Sequence, residues 1–214
     1  MNRRLNYPGL LRGVGELSEI DKDFANIASV YGAPPLWERE QGFHTLVHII
    51  LEQQVSLASA RAAYVRLKEK IHPVEPEFFL SLTDEELKRT GFSRQKTRYC
   101  RELAYAIIDG RLDLSILSRL EDQDAREQLM KVKGIGIWTA DIYLLMALGR
   151  PDIWPKGDLA LALGVQRLKL WTRRPTPDEL KHMSDEWRPW RAVAARMIWH
   201  YYLSEGKKAA AGTG

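Results

Sequence analysis

The segment Leu129-Met130-Lys131-Val132-Lys133-Gly134-Ile135-Gly136-Ile137-Trp138-Thr139-Ala140-Asp141 decides how the whole chain is read. Two glycines separated by one apolar residue make a tight hairpin between helices, where glycine supplies positive φ or close backbone approach. The helix after Gly136 begins at once, so its first backbone N–H groups point out of the hairpin. Together with the positive helix end they make a site suited to a phosphate. Ile135 is expected to plug the hairpin into the core below it. A Gly-x-Gly turn alone is weak evidence, since many helical hairpins turn on glycine.

Outward from the hairpin the periodicity stays helical. Leu57, Ala60, Tyr64, Leu67 and Ile71 follow the rhythm of one buried helix face, with Ser56 placed to cap its start. Thr83 and Glu86 predict a capping box, and Gly91 a helix stop. From Ser93 a basic helix runs through Tyr99 and Leu103 towards Asp109-Gly110. Another start lies near Asp122, leading through Leu129 and Val132 to the hairpin. Thr176-Pro177-Asp178-Glu179 combines an N-cap, a first-turn proline and a glutamate at the third position. Trp190, Ala194, Met197 and Tyr201 mark the inner face of a last helix. No stretch alternates with the period of two that a strand requires. The expected fold is all-α, with roughly ten helices joined by short loops. Residues 206–214, Gly-Lys-Lys-Ala-Ala-Ala-Gly-Thr-Gly, read as a flexible tail.

Among 214 residues, 45% are hydrophobic and 28% charged, which is globular usage and excludes a disordered chain. One cysteine, Cys100, excludes a disulfide scaffold, a cysteine-based zinc finger and a protein-held iron–sulfur cluster. No apolar run approaches the ~18 residues of a membrane span, and no apolar stretch follows Arg3-Arg4 as a secretory signal would require. The expected address is reducing and intracellular: cytoplasmic and nucleoid-associated in a bacterium, nuclear in a eukaryote. Net charge is +4, and Lys88, Arg89, Arg94, Lys96, Arg98 and Arg101 cluster without an intervening acid. Such a cluster suits a nucleic-acid partner or a solvated helix face equally well. Seven tryptophans supply flat faces for a core or for a nucleobase pocket. His44 and His48 have metal-ligand spacing but no third ligand, and Cys100 has no nearby histidine to activate it. No cofactor is expected.

Five blocks in order carry a family resemblance. They are Ile49-Ile50-Leu51-Glu52-Gln53-Gln54-Val55-Ser56; Gly91-Phe92-Ser93 with Lys96 and Tyr99; the hairpin; Trp154-Pro155-Lys156-Gly157-Asp158; and Trp187-Arg188-Pro189-Trp190-Arg191 leading to Ile198-Trp199. Over residues 42–203 the chain resembles the helix-hairpin-helix superfamily of DNA glycosylases, and within it the 3-methyladenine DNA glycosylase II branch. That resemblance implies two helical lobes with a cleft between them. Residues of about 1–41 and 151–205 would form one lobe, and about 42–150 the hairpin-bearing other. The larger bacterial members carry an extra N-terminal β-containing domain. The forty-odd residues before the Gln-Gln block are too few for one, so a compact variant is expected.

The resemblance also assigns roles. Asp158, which by its residues alone reads as an N-cap, matches the catalytic aspartate. Its carboxylate would stabilise positive charge on deoxyribose and orient a water. Trp138 stands where bifunctional members carry a nucleophilic lysine, which implies a monofunctional enzyme that leaves an abasic site. Lys156, the one nearby amine, reads as a phosphate contact or a solvated loop charge. Trp138 and Trp199 match base-pocket positions, where π faces attract cationic alkylated purines; Trp199 reads equally well as a core residue of the last helix. Ile142 and Leu159 stand where some relatives place tyrosine, and Tyr143 faces roughly 100° away from Ile142.

Gln54 matches an intercalating wedge that fills the hole left by a flipped base, with Gln53 as its support. Gly134 and Gly136 would grip a phosphate. Lys131, Lys133, Lys96 and Arg94 would contact the DNA backbone. Backbone carbonyls of Met130, Val132 and Ile135 would hold a monovalent cation. The implied partner is duplex DNA carrying alkylated bases, bound by a monomer. Two other readings stay open: a glycosylase of the same fold for a deaminated or mismatched base, and a non-catalytic binder of DNA structure.

Overall fold

Side-chain caps decide where most of the helices start. Ser56, Thr83, Ser93, Asp158 and Thr176 each accept a hydrogen bond from the backbone N–H three residues on. Glu86 and Glu179 complete both expected capping boxes by reaching back to the N-cap backbone. Gly91 ends its helix at φ 103°, as a left-handed stop.

The computed structural model describes residues 4–211. Among them lie twelve α-helices and no strand, so the all-α class holds with more helices than the sequence periodicity separates. In chain order they are α1 (Tyr7–Ile20), α2 (Lys22–Tyr31), α3 (Phe43–Glu52), α4 (Leu57–Lys70), α5 (Pro76–Ser81) and α6 (Asp84–Thr90). After these come α7 (Arg94–Ile108), α8 (Asp122–Met130), α9 (Ile137–Met146), α10 (Leu159–Leu168), α11 (Pro177–Ser184) and α12 (Arg191–Ala211). Single 3-10 turns occur at Leu117–Arg119 and Asp185–Trp187. No helix among the described residues is long and apolar enough to cross a membrane.

The helices group into two units: Arg39–Leu148, and the residues before and after it in the chain. In the Arg39–Leu148 unit, α3 is the central helix and packs on α4, α7 and α9. Phe43, Leu46, Val47, Ile49, Ile50 and Leu51 are each 2% exposed or less. A helix apolar around its whole circumference belongs inside, not at a surface. On α4 the expected inner face holds at Ala60 and Leu67, with Ile71 buried just past the helix end. Leu57 departs from it and is exposed, because as the first helical residue it extends beyond the packed turn, and Ala63 fills the seam instead.

In the other unit α12 is the axis against which α1, α2 and α10 pack. Every residue from Ala192 to Trp199 is buried, and the run of small alanines lets the neighbouring helices approach. Phe24, Trp154 and Trp187 form an edge-to-face cluster with centroids 5.1 and 5.4 Å apart. Trp154 and Trp187 therefore serve packing. Helix α12 continues past Gly206 to Ala211, where a flexible tail was expected. Lysine and alanine are strong helix formers, and they extend a helix that is already nucleated. The rest of the expected tail, residues 212–214, lies outside the described residues.

Candidate functional site

Two groups of side chains carry chemistry, one on each unit. The first surrounds Asp158. The loop before α10 turns through Gly157 at φ 81°, and Asp158 follows as N-cap. Its Oδ1 accepts the Leu161 N–H at 2.8 Å, which fixes the carboxylate against the positive end of α10. The same oxygen accepts the indole N–H of Trp199 from α12 at 3.1 Å. Asp158 is only 8% exposed. A carboxylate held this way is an anchored anion with little water around it, the arrangement that best stabilises a cation formed beside it.

Trp199 is buried, at 7% exposure, and so offers little ring face to a ligand. Trp37, which the sequence did not single out, packs edge-on against it with centroids 6.3 Å apart. No motif surrounds Trp37, and its approach to α12 arises from a contact distant in sequence. Its backbone sits at φ 47°, unusual for a bulky residue. Leu159 is 56% exposed beside Asp158 at the start of α10. Lys156 pairs with Asp178 at 2.8 Å on the surface, so its ammonium is committed to a salt bridge within its own unit.

The second group is the hairpin between α8 and α9 and the turn after α3. Gly134 sits at φ 100°, and a Cβ there would lie 2.6 Å from Tyr99 Cβ and 2.7 Å from Cδ1. Both requirements for glycine are therefore real at this position. Gly136 is different: its φ of −90° and ψ of 178° are ordinary, and no atom lies within 4 Å of where a Cβ would stand. As N-cap of α9 it brings no side chain to the helix start. Ile135 is buried and plugs the turn as expected. Its N–H donates to the Val132 carbonyl at 3.0 Å, which leaves that oxygen one lone pair. Trp138, in the first turn of α9, is half-buried.

Beside the hairpin, Gln53 donates from its amide to the Gly134 carbonyl at 3.0 Å and to Thr139 Oγ1 at 2.9 Å. Gln53 is thereby tied to the turn and buttresses it. Gln53, expected as the support of Gln54, directs its amide to the hairpin. Gln54 is exposed and stands at φ 56°. Such a conformation persists only where its surroundings hold it.

Lys131, Lys133 and Arg94 are exposed, and Lys131 reaches Gln128 at 3.0 Å. Lys96 departs from its expected backbone-contact role. Its Nζ donates to the Leu51 carbonyl at 2.6 Å and caps the C-terminal end of α3. Burial pulls its ammonium below the usual lysine range. Within the basic cluster Arg101 is also engaged, with the Leu82 carbonyl and Asp84. A further ion pair that sequence spacing did not reveal joins the hairpin helices: Arg126 Nε meets Asp141 Oδ1 at 2.6 Å. Asp141 is 1% exposed.

His48 serves packing. His48 stacks on Tyr64 with centroids 4.3 Å apart and lies 3.7 Å from Glu52. Burial pulls its pKa below the usual histidine value, opposed by Glu52 and reinforced by Arg39. Among the described residues no group of three or more His, Cys, Asp or Glu is placed to hold a metal ion. Cys100 is fully buried, and burial pushes its thiol pKa up, the reverse of what a nucleophile needs. Tyr143 is fully buried, and its hydroxyl accepts the Gly42 N–H at 3.0 Å.

Comparison with known proteins places this geometry. The family model described as "HhH-GPD superfamily base excision DNA repair protein" matches residues 47–189. The putative DNA-3-methyladenine glycosylase YfjP of Bacillus subtilis is 29% identical over 168 residues, covering 73% of this chain and 58% of that protein. DNA-3-methyladenine glycosylase 1 of Schizosaccharomyces pombe is 26% identical over 190 residues, covering 86% and 83%. The solved structure of the S. pombe 3-methyladenine DNA glycosylase Mag1 in complex with abasic DNA superimposes with a TM-score of 0.81 at 26% identity, over 88% of this chain and 95% of that one. The chain spans 58% of the length of YfjP and of a second B. subtilis relative, a DNA-3-methyladenine glycosylase.

Proposed function

Because the chain belongs to the HhH-GPD superfamily of base excision DNA repair proteins, we propose that it is a monofunctional DNA glycosylase for alkylated purines. It hydrolyses the N-glycosidic bond of bases such as 3-methyladenine in duplex DNA and leaves an abasic site. The observation that carries the reading is Asp158: a carboxylate 8% exposed, anchored by the Leu161 N–H and the Trp199 indole. Phosphate gripping by itself has no use for such a group. Relatives named as 3-methyladenine glycosylases support the substrate class.

The chemistry follows from charge. An alkylated purine nucleoside carries a positive charge on the base. When the bond from C1′ to the ring nitrogen breaks, the electron pair leaves with the base, which departs neutral. The positive charge then resides on the sugar, beside the Asp158 anion. A water adds to C1′ and gives up its proton, which closes the balance. Because the leaving group is already good, no strong general acid is demanded. Trp138, at the position that carries a lysine in bifunctional members, has no amine to form a Schiff base, so the strand stays intact.

The hairpin would hold the DNA. Gly136, open where a Cβ would stand, would let a phosphate approach the N-terminus of α9, with Lys131, Lys133 and Arg94 on neighbouring phosphates. Gln54 would fill the gap left by the flipped nucleotide, and Trp138 would line the base pocket. Neutral carbonyls are a donor set that suits a monovalent cation, and Met130, Val132 and Ile135 would supply them. The reaction itself runs through none of these carbonyls. The protein would act on duplex DNA as a monomer.

The test is base release from methylated duplex DNA by the native protein and by Asp158→Asn, read with and without alkali. Methylpurine release by the native protein alone, with strand breaks only after alkali, supports the assignment. Breaks without alkali would overturn the monofunctional reading. DNA binding without release by either protein would overturn the alkylpurine assignment, and a panel of deaminated and mismatched bases would then separate a glycosylase for another lesion from a binder.

A further inference from the structure

We propose that Trp199 is a positioning residue for the Asp158 carboxylate, acting through its indole N–H, and that Trp37 braces it. The inference rests on Asp158 being the reacting anion and deepens that reading by naming what holds it. The Asp158 Oδ1 receives two donors from two helices: the Leu161 N–H of α10 at 2.8 Å and the Trp199 indole of α12 at 3.1 Å. An N-cap bond alone ties the oxygen to one helix end and leaves the carboxylate plane free to turn. A second donor from another helix fixes that plane, and with it the direction of the other oxygen. Fixing a charged group before the reaction removes reorganisation from the barrier.

The sequence places Trp199 in the base pocket, but its 7% exposure is too small for a stacking platform. Its ring is instead packed edge-to-face by Trp37 at 6.3 Å and 73°. The position of Trp37 is enforced. Arg196, three residues before Trp199 on α12 and 1% exposed, donates from Nε to the Leu36 carbonyl at 2.8 Å. That bond pins the backbone just before Trp37, which stands at φ 47°. The Trp37 ring also meets His200 edge-on at 6.5 Å. Helix α12 thus clamps one segment of chain at Leu36 and Trp37, and that segment holds the indole on the carboxylate. Trp37 is half-buried, whereas Trp199 is buried.

Trp199→Phe separates the two roles, since it keeps an aromatic ring and removes the N–H. Loss of one hydrogen bond to a charged group predicts a maximal single-turnover rate of 7-methylguanine release roughly 10-fold to 100-fold lower. The enzyme concentration at half-maximal rate should stay within about twofold. Trp37→Ala should lower the rate by less, and Trp37→Phe should restore most of it. A second measurement needs no altered fold at Trp199. In the proton–nitrogen spectrum of the native protein, one indole resonance should lie downfield and move upfield in Asp158→Asn, and it should be the one missing from Trp199→Phe. An unchanged rate in Trp199→Phe, or a full rate reached only at higher enzyme concentration, overturns the proposal. So does an indole spectrum indifferent to Asp158→Asn, which decides the matter even if Trp199→Phe fails to fold. If Asp158→Asn keeps the native rate while the resonance still shifts, the hydrogen bond stands and the catalytic reading of Asp158 fails instead.

Discussion

Replacing each hairpin glycine by alanine should separate a glycine that the fold needs from one that a ligand needs. At Gly134 the backbone φ of 100° strains any L side chain, at a cost of about 1–3 kcal/mol. The new Cβ would also stand 2.6 Å from Tyr99 Cβ, and a Cβ is fixed by its own backbone and cannot swing aside. Overpacking of this kind costs a further ~1–3 kcal/mol. A total near 4 kcal/mol lowers the melting temperature by roughly 8–16 °C in a chain of this size. At Gly136 the backbone is ordinary and the space is open. There the poorer N-cap quality of alanine offsets its gain in the unfolded state, for a net change within about 1 kcal/mol. If a phosphate approaches that open face, however, the methyl group displaces it. Losing one charge-assisted bond weakens DNA binding by about tenfold or more. Thermal unfolding by circular dichroism, together with fluorescence anisotropy on a duplex bearing an abasic-site analogue, measures both quantities. Native stability in Gly134→Ala would refute the Tyr99 contact as the reason for glycine. Native DNA affinity in Gly136→Ala would refute the hairpin as the phosphate grip.

Three further outcomes are expected. Lys133→Ala should weaken duplex binding and reduce the slope of log K against log salt by about 0.9, whereas Lys96→Ala should lower the melting temperature and leave that slope unchanged, because Lys96 caps the Leu51 carbonyl. Arg126→Ala should destabilise by about 1.5–3 kcal/mol in urea unfolding, since it removes a charge-assisted hydrogen bond at 2.6 Å to the buried Asp141. His48 has a folded pKa below its unfolded 6.5, so the unfolded chain binds its proton first as pH falls. The stability it contributes is present above pH 6.5 and is lost as pH falls from there through the lower folded value. Between pH 7.5 and 5, His48→Phe, which preserves the stack on Tyr64, should therefore lose less stability than the native protein; equal losses would sink the argument.

What the sequence made legible is mostly what acts over three or four residues. Caps at Ser56, Thr83 and Thr176 are chemical statements about the next turn, and each forms as read. Helix α1 is harder to see, because Gly9, Gly13 and Gly15 lower its propensity, and it is held by the Asn6 cap on Gly9 and by the burial of Leu10, Val14 and Leu17. Lys96 and Arg94 look alike in a basic run. The direction of each side chain depends on which face of α7 meets α3, so only the structure shows Lys96 turned inward. Trp37 was invisible for the same reason: its partner on α12 lies far along the chain.

Two helix starts, one in each unit, are used in opposite ways. Helix α9 opens on Gly136, which brings no side chain to its own N–H groups, and the space beside it is open. That end is suited to an anion from outside. Helix α10 opens on Asp158, whose carboxylate occupies the same kind of position with a bond to Leu161. That end already holds an anion, one belonging to the protein and steadied by the Trp199 indole. Glycine at the first cap and aspartate at the second are thus not interchangeable turn residues. Exchanging them would place a carboxylate at the helix start proposed to receive a phosphate, and remove the anion proposed to stabilise a cation. A protein that only gripped DNA would gain nothing from the second arrangement, and one that only cleaved a nucleoside would gain nothing from the first. Their presence in one chain is the physical argument for chemistry performed on a nucleotide while its backbone is held.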